Sequence, residues 1–441
     1  MHSWPEGIGS VRQSVSGLAR LRAGSRAHNA AYAGLIVFTV LLYLRPNDLL
    51  PIGTFPIVKI ITLGTLGIFF VERLLQGGSL SIMPRPFKYL LALVGLTILS
   101  IPFGIDPSNS FTAFTDGFLK TLLVFLLMIN VVTSFRRLRL MMEVTVLSGA
   151  FVAVISLSDF IQGGNLVAGR GSGAVGGIFG NPNDLALAMN VLLPVAIGLA
   201  LSRRSPFSKL LNVICAALLA MASVVTYSRA GFLSMVVAAA FFLLKVRRVY
   251  PAAWAIGALA GGILLVSSPG RVFTLFGSGG DGLAAASANA RWELLKRSIV
   301  VAGGNPIRWT FGVGIGNFGI VSIHDQVNHN TFLEVFNEVG LPAMICFIVF
   351  LYSVFKITGL ISQRYRTARG YRQVWLTATT IQTSLVAYAV ASLFASAAFT
   401  WYLYYPAAFA VCLHQILARA ERRPAQREVT PRVWYLRRVQ H

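Results

Sequence analysis

The chain has 441 residues, of which 55% are hydrophobic and only 12% are charged, and its mean hydropathy is +0.69. A soluble globular protein carries about 25% charged residues, so this composition excludes a water-soluble multidomain enzyme and a disordered chain. The three cysteines all lie within apolar runs, which excludes a disulfide-stapled secreted module.

Apolar runs long enough to cross a bilayer recur along the whole chain. They predict an all-α polytopic membrane protein with about twelve transmembrane helices. The predicted helices are residues 30–44, 55–72, 87–104, 118–133, 141–160, 184–202, 209–227, 230–244, 250–267, 331–355, 374–395 and 398–418. The predicted organisation is a basic arm (1–29), nine helices (30–267), one larger outer loop (268–330), three helices (331–418) and a basic tail (419–441).

The basic residues follow the order of these predicted helices. With the N-terminus in the cytoplasm, 28 of the 38 Lys and Arg residues fall on the inner side. Such a bias is the positive-inside rule, and it predicts that both termini are cytoplasmic. The formal net charge of +23 is therefore explained by topology determinants next to anionic membrane lipids, and a nucleic-acid partner is not indicated.

The outer loop contains one helix-like stretch, residues 284–301, in which Glu293 and Arg297 have the spacing of an i,i+4 ion pair. Gly314 to Gly319 matches the pattern G-x-G-x-x-G, but no strand, helix and βαβ unit surround it. We interpret these glycines as a tight backbone path rather than a dinucleotide site. No loop combines carboxylates and histidines at metal-ligand spacing, so no metal site is predicted.

Ionisable residues that do not determine topology collect at the outer ends of the predicted helices. This distribution favours chemistry at the outer membrane boundary over a transport path through the bilayer centre. Arg229 lies in a very short outer turn between two apolar helices. Either its side chain extends to the interface, or its guanidinium group binds the oxygens of a phosphate.

A second polar group surrounds His329 at the end of the outer loop. An asparagine or threonine of the segment Asn328–Thr331 is expected to cap the next helix. A neutral imidazole at this place can accept a proton from a hydroxyl group, which is the role of a general base. Glu334 and Glu338 follow with i,i+4 spacing, and either could orient the imidazole, pair with an arginine or face the polar loop.

Asn183 and Asp184 open the sixth predicted helix. Either residue suits the N-cap, and the positive end of the helix could also receive an anion.

Several motifs together resemble the O-antigen ligase superfamily. They are Arg170 followed by Phe179-Gly180-Asn181-Pro182-Asn183, the turn Ser228-Arg229-Ala230-Gly231, the pair Asn289 and Arg291 with Trp292, and the run from Gly312 through Gly316-Asn317-Phe318 to His329-Asn330-Thr331-Phe332-Leu333-Glu334. The resemblance covers roughly residues 30–420. It departs from the family pattern at Ala230, where members usually have glycine directly after the Ser-Arg pair.

The resemblance implies a GT-C-like glycosyltransferase that works without a metal or other cofactor at the periplasmic face of a Gram-negative inner membrane. Its implied donor is a glycan on undecaprenyl diphosphate, and its implied acceptor is a sugar of lipid A–core, with inversion at the transferred carbon. We assign His329 as the general base and Arg229 and Arg291 as the diphosphate-binding catalytic residues. The expected substrate-binding residues are Arg45, Arg170, Asn183, Arg297, Asn330 and Glu334.

Two other functions stay open from the sequence. A polysaccharide polymerase or a protein O-oligosaccharyltransferase would use the same donor with another acceptor. A transporter or flippase for the lipid-linked glycan would instead need polar residues along a central path, and the middles of the predicted helices are almost free of charge.

Overall fold

A computed structural model describes residues 28–45, 57–75, 81–164, 166–167, 170–171, 177–202, 205–247, 249, 282–322, 327–368 and 370–422. Helices account for 84% of these residues, which confirms the predicted all-α class. The helices are α1 (Asn29–Leu44), α2 (Ile57–Leu75), α3 (Arg85–Ser100), α4 (Pro107–Ala113), α5 (Leu119–Val131), α6 (Phe135–Ile161), α7 (Pro182–Ser202), α8 (Pro206–Val225), α9 (Arg229–Val246), α10 (Gly282–Gly303), α11 (Pro306–Phe311), α12 (Phe318–Val321), α13 (Thr331–Val339), α14 (Leu341–Tyr365), α15 (Arg372–Ala391) and α16 (Trp401–Arg422). Two strands of two residues each, β1 (Leu166–Val167) and β2 (Arg170–Gly171), pair antiparallel between α6 and α7.

Eight segments among the described residues are long and apolar enough to cross a membrane. They are α3 with the turn that follows it, α4 continued by α5, and α6, α7, α8, α9, α14 and α15. The chain is therefore a multi-pass membrane protein. The predicted span at 250–267 lies outside the described residues, and the count of twelve, the GT-C-like fold and the single larger loop stay predictions.

The predicted helix at 118–133 begins eleven residues earlier than expected. Asp106 caps α4 by accepting a hydrogen bond from the Asn109 amide at 3.0 Å, and Pro107 takes the first helical position. A π-helical turn, Phe114–Phe118, then joins α4 to α5 without a break. The polar residues of α4 favoured a loop in the sequence, but a cap followed by proline is a strong start signal for a helix.

The predicted helix at 331–355 is in fact two helices. Gly340 has φ 100° and ψ 171°, a conformation that is essentially restricted to glycine, and it separates α13 from α14. A Cβ atom on Gly340 would lie 2.1 Å from the Thr310 carbonyl oxygen. The helix must therefore end where α11 packs against it.

The centre of the bundle is formed by α7 and α15, which are the most buried of the candidate membrane helices. Gly198 of α7 lets Thr380 of α15 approach closely, since a Cβ atom there would lie 2.1 Å from the Thr380 methyl carbon. Asn190 of α7 donates to the Gly231 carbonyl at 2.7 Å, and Ser234 of α9 donates to the Ala387 carbonyl at 2.9 Å. These bonds fix the first turns of α9 against the two central helices.

The described part of the predicted outer loop packs onto the turn that follows α3 and onto α4. Asn317 donates to Ser110 at 2.9 Å and accepts from Asn109 at 2.7 Å. Gly314 and Gly316 have φ of 93° and 78°, which supports the interpretation of this glycine-rich run as a tight backbone path. The described residues between α11 and α12 are therefore packed into the fold.

Helix α10 covers the predicted helical stretch at 284–301 and so confirms it. The predicted ion pair within it is wrong. Glu293 pairs with Lys296 at 2.8 Å, while Arg297 donates from Nε to the Val321 carbonyl at 2.8 Å. Glu293 therefore pairs with the lysine at i+3, and Arg297 binds α12 instead of Glu293.

Candidate functional site

A cavity of about 370 Å³ lies where the N-terminus of α9, the side of α10 and the segment before α13 meet. Its lining residues are Arg229, Ala230, Leu233, Trp292, Leu295, Asn328, His329, Asn330, Leu333, Leu393 and Phe394. The structure therefore brings Arg229, His329 and Asn330 together, although they are a hundred residues apart in sequence. We refer to this cavity as the Arg229–His329 pocket.

Arg229 is the first residue of α9, and the turn before it holds it in place. Ser228 caps the helix by accepting from the Gly231 amide at 3.1 Å, and its hydroxyl donates to Asn183 at 2.8 Å. Tyr227 adopts the left-handed conformation with φ 46°. The turn is thus fixed both by a cap and by a side chain from the start of α7.

Asn183 therefore contributes to the site differently from its predicted role as a cap. Asn181 closes the first turn of α7 instead, since its side-chain oxygen accepts from the Asn183 amide at 2.8 Å. The Asn183 side chain is left to contact Ser228. Asp184, the other predicted cap, lies within the first turn of α7.

His329 lies between Asn328 and Asn330 in the sequence. Its φ of 49° is uncommon for a residue other than glycine. Asn330 caps α13 by accepting from the amides of Phe332 and Leu333 at 3.0 and 3.1 Å. Its amide nitrogen donates to the Leu393 carbonyl at 3.1 Å. The predicted cap is confirmed, and most of the hydrogen-bonding capacity of Asn330 is used within the protein.

The electrostatics of the pocket favour an anion. Helices carry partial positive charge at their N-termini, and the N-termini of α9 and α13 both border the pocket. Arg229, at the first position of α9, adds a positive charge beside that helix end, and this charge favours binding of an anion there. Arginine can bind phosphate oxygens through two parallel hydrogen bonds, so a phosphate group is an anion that suits this pocket.

Apolar side chains form the rest of the wall. Leu233, Leu295, Leu333, Leu393 and Phe394 line the pocket, and the indole of Trp292 borders it with 58% of its surface exposed. An apolar wall beside a group of hydrogen-bond donors is suited to an amphipathic ligand with a charged head.

The other predicted arginines are not shown to reach the pocket. Arg291 belongs to α10, directly before the pocket residue Trp292, and Arg170 belongs to β2; the side chains of both lie outside what the structure describes. Arg297 contacts α12 through the Val321 carbonyl. Arg45 ends α1 in a left-handed conformation with φ 44°.

Glu334 and Glu338 bind backbone amides on two different segments. Glu334 accepts from the Ala398 amide at 3.0 Å, and Glu338 accepts from the Gly316 amide at 2.9 Å. Burial raises the pKa of Glu338 to about 7, and burial together with the neighbouring Glu338 raises the pKa of Glu334 well above its ordinary value. The two carboxyls thus connect α13, which follows His329, to the loops before α12 and α16.

Sequence reasoning missed two parts of the site. The turn at Leu393 and Phe394 borders the pocket, and no motif marks it. The second is Asn328, which the sequence suggested only as a possible helix cap within the segment 328–331. The signal that could have found it is its amide side chain directly before His329. Within the described ranges, no group of three or more His, Cys, Asp and Glu side chains could hold a metal ion.

Part of the chain matches the model of a known protein family. Residues 214–348 match the family model described as O-Antigen ligase. The matched segment contains both Arg229 and His329 and runs from α8 into α14. No curated protein matches the chain.

Proposed function

Residues 214–348 match the O-antigen ligase family model, and on this basis we propose that the chain is an inverting glycosyltransferase that moves a glycan from undecaprenyl diphosphate to a sugar hydroxyl of lipid A–core. The observation that carries this proposal is that Arg229 and His329 line the same pocket, whose remaining wall is largely apolar. The reaction takes place at the periplasmic face of a Gram-negative inner membrane, and it contributes to lipopolysaccharide biosynthesis.

The hydrogen-bonding capacity of the pocket supports a diphosphate. Arginine and the indole N–H of Trp292 can only donate, and the oxygen of Asn330 is occupied by two amides. Asn328 likewise has its oxygen occupied, by Ser298 and Asn337. An imidazole in its neutral form has one acceptor nitrogen, which is the role proposed for His329, while the other polar side chains of the lining can donate and so suit a ligand rich in acceptors.

In the proposed reaction, an imidazole nitrogen of His329 takes the proton from the acceptor hydroxyl. The hydroxyl oxygen attacks the anomeric carbon of the donor sugar from the side opposite to the diphosphate, and the carbon–oxygen bond to the diphosphate breaks. The diphosphate leaves with the bonding electrons, and Arg229 and Arg291 stabilise the charge that develops on it. Such stabilisation by fixed donors in a water-poor site is typically the largest catalytic contribution.

The experiment is complementation of a ligase-deficient Gram-negative strain whose donor and acceptor match this protein. Wild type, His329→Ala, Arg229→Ala and Lys120→Ala are expressed, membrane levels are checked by immunoblot, and lipopolysaccharide is resolved on gels. Lys120→Ala is a matched control because it removes a cation that lies away from the pocket, where it pairs with Asp116 at 3.1 Å. We expect long-chain ladders from wild type and Lys120→Ala and none from the two pocket variants at equal expression.

Other outcomes separate the alternative functions. Lengthening of the lipid-linked glycan without transfer to lipid A–core would identify a polymerase and contradict the proposed acceptor. Transfer to protein would identify a protein O-oligosaccharyltransferase. Movement of the lipid-linked glycan across the membrane that tolerates His329→Ala would contradict glycosyl transfer and indicate a transporter.

A further inference from the structure

Asn328 precedes His329 and lines the same pocket. Only 6% of its surface is exposed, so its amide group is removed from bulk water. A buried amide needs partners for one oxygen and for one nitrogen that carries two hydrogens. The structure supplies partners for the oxygen.

The orientation of the Asn328 amide follows from a chain of hydrogen bonds that begins in α13. Asn337 Nδ2 donates to the Leu333 carbonyl at 2.8 Å, which fixes which end of that amide is nitrogen. The same nitrogen lies 3.2 Å from Asn328 Oδ1, and Ser298 of α10 donates to this oxygen at 2.8 Å. Rotating the Asn328 amide by 180° would set two N–H groups against each other, so Oδ1 must face Asn337 and Ser298.

Asn328 Nδ2 is therefore turned away from Asn337 and Ser298, and it has no hydrogen-bond partner within the part of the chain that the structure describes. A buried N–H without a partner is unfavourable, and native proteins seldom retain one without a use for it. Here the orphaned nitrogen belongs to a residue of the pocket wall, beside His329.

We infer that Asn328 Nδ2 donates a hydrogen bond to a diphosphate oxygen of the lipid-linked donor. This inference rests on the proposed function, since it assigns a further binding residue to the same pocket. A phosphate oxygen is the favoured partner because Arg229 and the two helix N-termini already select an anion with several acceptor atoms. The relay through Ser298 and Asn337 holds the donor nitrogen ready before substrate binds, so little ordering entropy is lost on binding.

The test measures the affinity of the full-length protein in detergent for undecaprenyl diphosphate and for undecaprenyl monophosphate. Asn328→Asp keeps the shape of the side chain and replaces the donor with a negatively charged acceptor, and Asn328→Ser removes the amide nitrogen without adding charge. Lys120→Ala is the control, because Lys120 pairs with Asp116 at 3.1 Å and is not among the residues that line the pocket. The monodispersity and thermal midpoint of each variant show whether it folds.

We expect Asn328→Asp to weaken binding of the diphosphate by ~10-fold to 100-fold, as for a lost hydrogen bond to a charged group. The preference for the diphosphate over the monophosphate should fall in both Asn328 variants. Lys120→Ala should stay within about threefold of wild type. A purely structural role of Asn328 would lower the thermal midpoint and leave the preference between the two lipids unchanged.

The failure of this inference differs from the failure of the proposed function. Equal binding by wild type and both Asn328 variants, with binding lost in Arg229→Ala, would overturn the role of Asn328 and leave the diphosphate site intact. No binding of either lipid by wild type would overturn the proposed function together with the inference.

Discussion

At the residue scale, strained backbone occurs at His329 and close to Arg229, the two residues on which the proposed site depends. Tyr227, two residues before Arg229, and His329 itself have φ of 46° and 49°. A left-handed conformation costs a residue with a Cβ atom about 1–2 kcal/mol. Strain of this kind persists where the surroundings impose it, and it concentrates at functional sites.

This strain predicts a difference between two substitutions of His329. His329→Gly and His329→Ala both remove the imidazole and should both abolish glycan transfer. Because glycine adopts positive φ without strain, His329→Gly should be more stable than His329→Ala by about 1 kcal/mol. Thermal unfolding of the two purified variants measures the difference, and equal midpoints would show that the backbone relaxes once the ring is gone.

A second prediction at this scale concerns pH and the carboxyl of Glu338. Its pKa in the folded protein, about 7, lies above the ordinary value of 4.5 because the group is buried. Between these values the folded state binds a proton that the unfolded chain has released, so stability falls as pH rises from 4.5 to 7. Above pH 7 this group makes no further change.

Glu338→Gln should therefore show a smaller loss of thermal stability between pH 5 and pH 7 than wild type, and glutamine can still accept from the Gly316 amide. Thermal midpoints at several pH values in one detergent measure it. Glu293→Gln is the control, since that side chain is 55% exposed in wild type and its removal should leave the pH dependence unchanged. An identical pH dependence in Glu338→Gln and wild type would contradict the prediction.

Single residues differ in how far the sequence reveals their partners. The cap at Asn330 follows from local chemistry, since a short polar side chain before an apolar helix accepts from its first amides. The partner of Glu334 is the Ala398 amide, 64 residues away, and no local pattern encodes that distance. Local hydrogen bonds could be predicted, whereas long-range ones required the fold.

At the scale of elements, hydropathy locates most helices and misses the breaks between them. The predicted helix at 331–355 is apolar throughout, but Gly340 turns the chain between α13 and α14. The break is imposed by α11, whose Thr310 carbonyl occupies the place of a Cβ atom. A glycine inside an apolar run therefore marked the boundary that hydropathy did not.

Gly340→Ala should destabilise the protein by at least about 1–3 kcal/mol, because alanine disfavours this backbone conformation and its methyl group would meet backbone atoms. Gly303→Ala at the end of α10 is the matched control, because no atom lies within 4 Å of the added methyl group. The control should be neutral or slightly stabilising. Thermal midpoints and the monodispersity of both variants decide the matter, and a Gly340→Ala protein as stable as the control would contradict the imposed break.

At the scale of the whole molecule, the positions of α9 and α10 constrain the topology. Helix α9 begins at the pocket with Arg229 and ends at Val246, and eighteen helical residues span about 27 Å. Trp292 of α10 borders the same pocket. The chain thus leaves α9 far from the pocket and must return to it before Trp292, which is what the predicted span at 250–267 would do.

This return predicts the sidedness of two fusion points. A green fluorescent protein fused after Arg247 should fluoresce, because the positive-inside rule predicts that the end of α9 is cytoplasmic. An alkaline phosphatase fused after Gly282 should be active, because α10 borders the pocket that we propose to face the periplasm. A fluorescent fusion after Arg422 would further agree with a cytoplasmic C-terminus. If the fusions after Arg247 and Gly282 reported the same side, no crossing would separate them, and the charge-based count and the location of the pocket in the periplasm could not both be right.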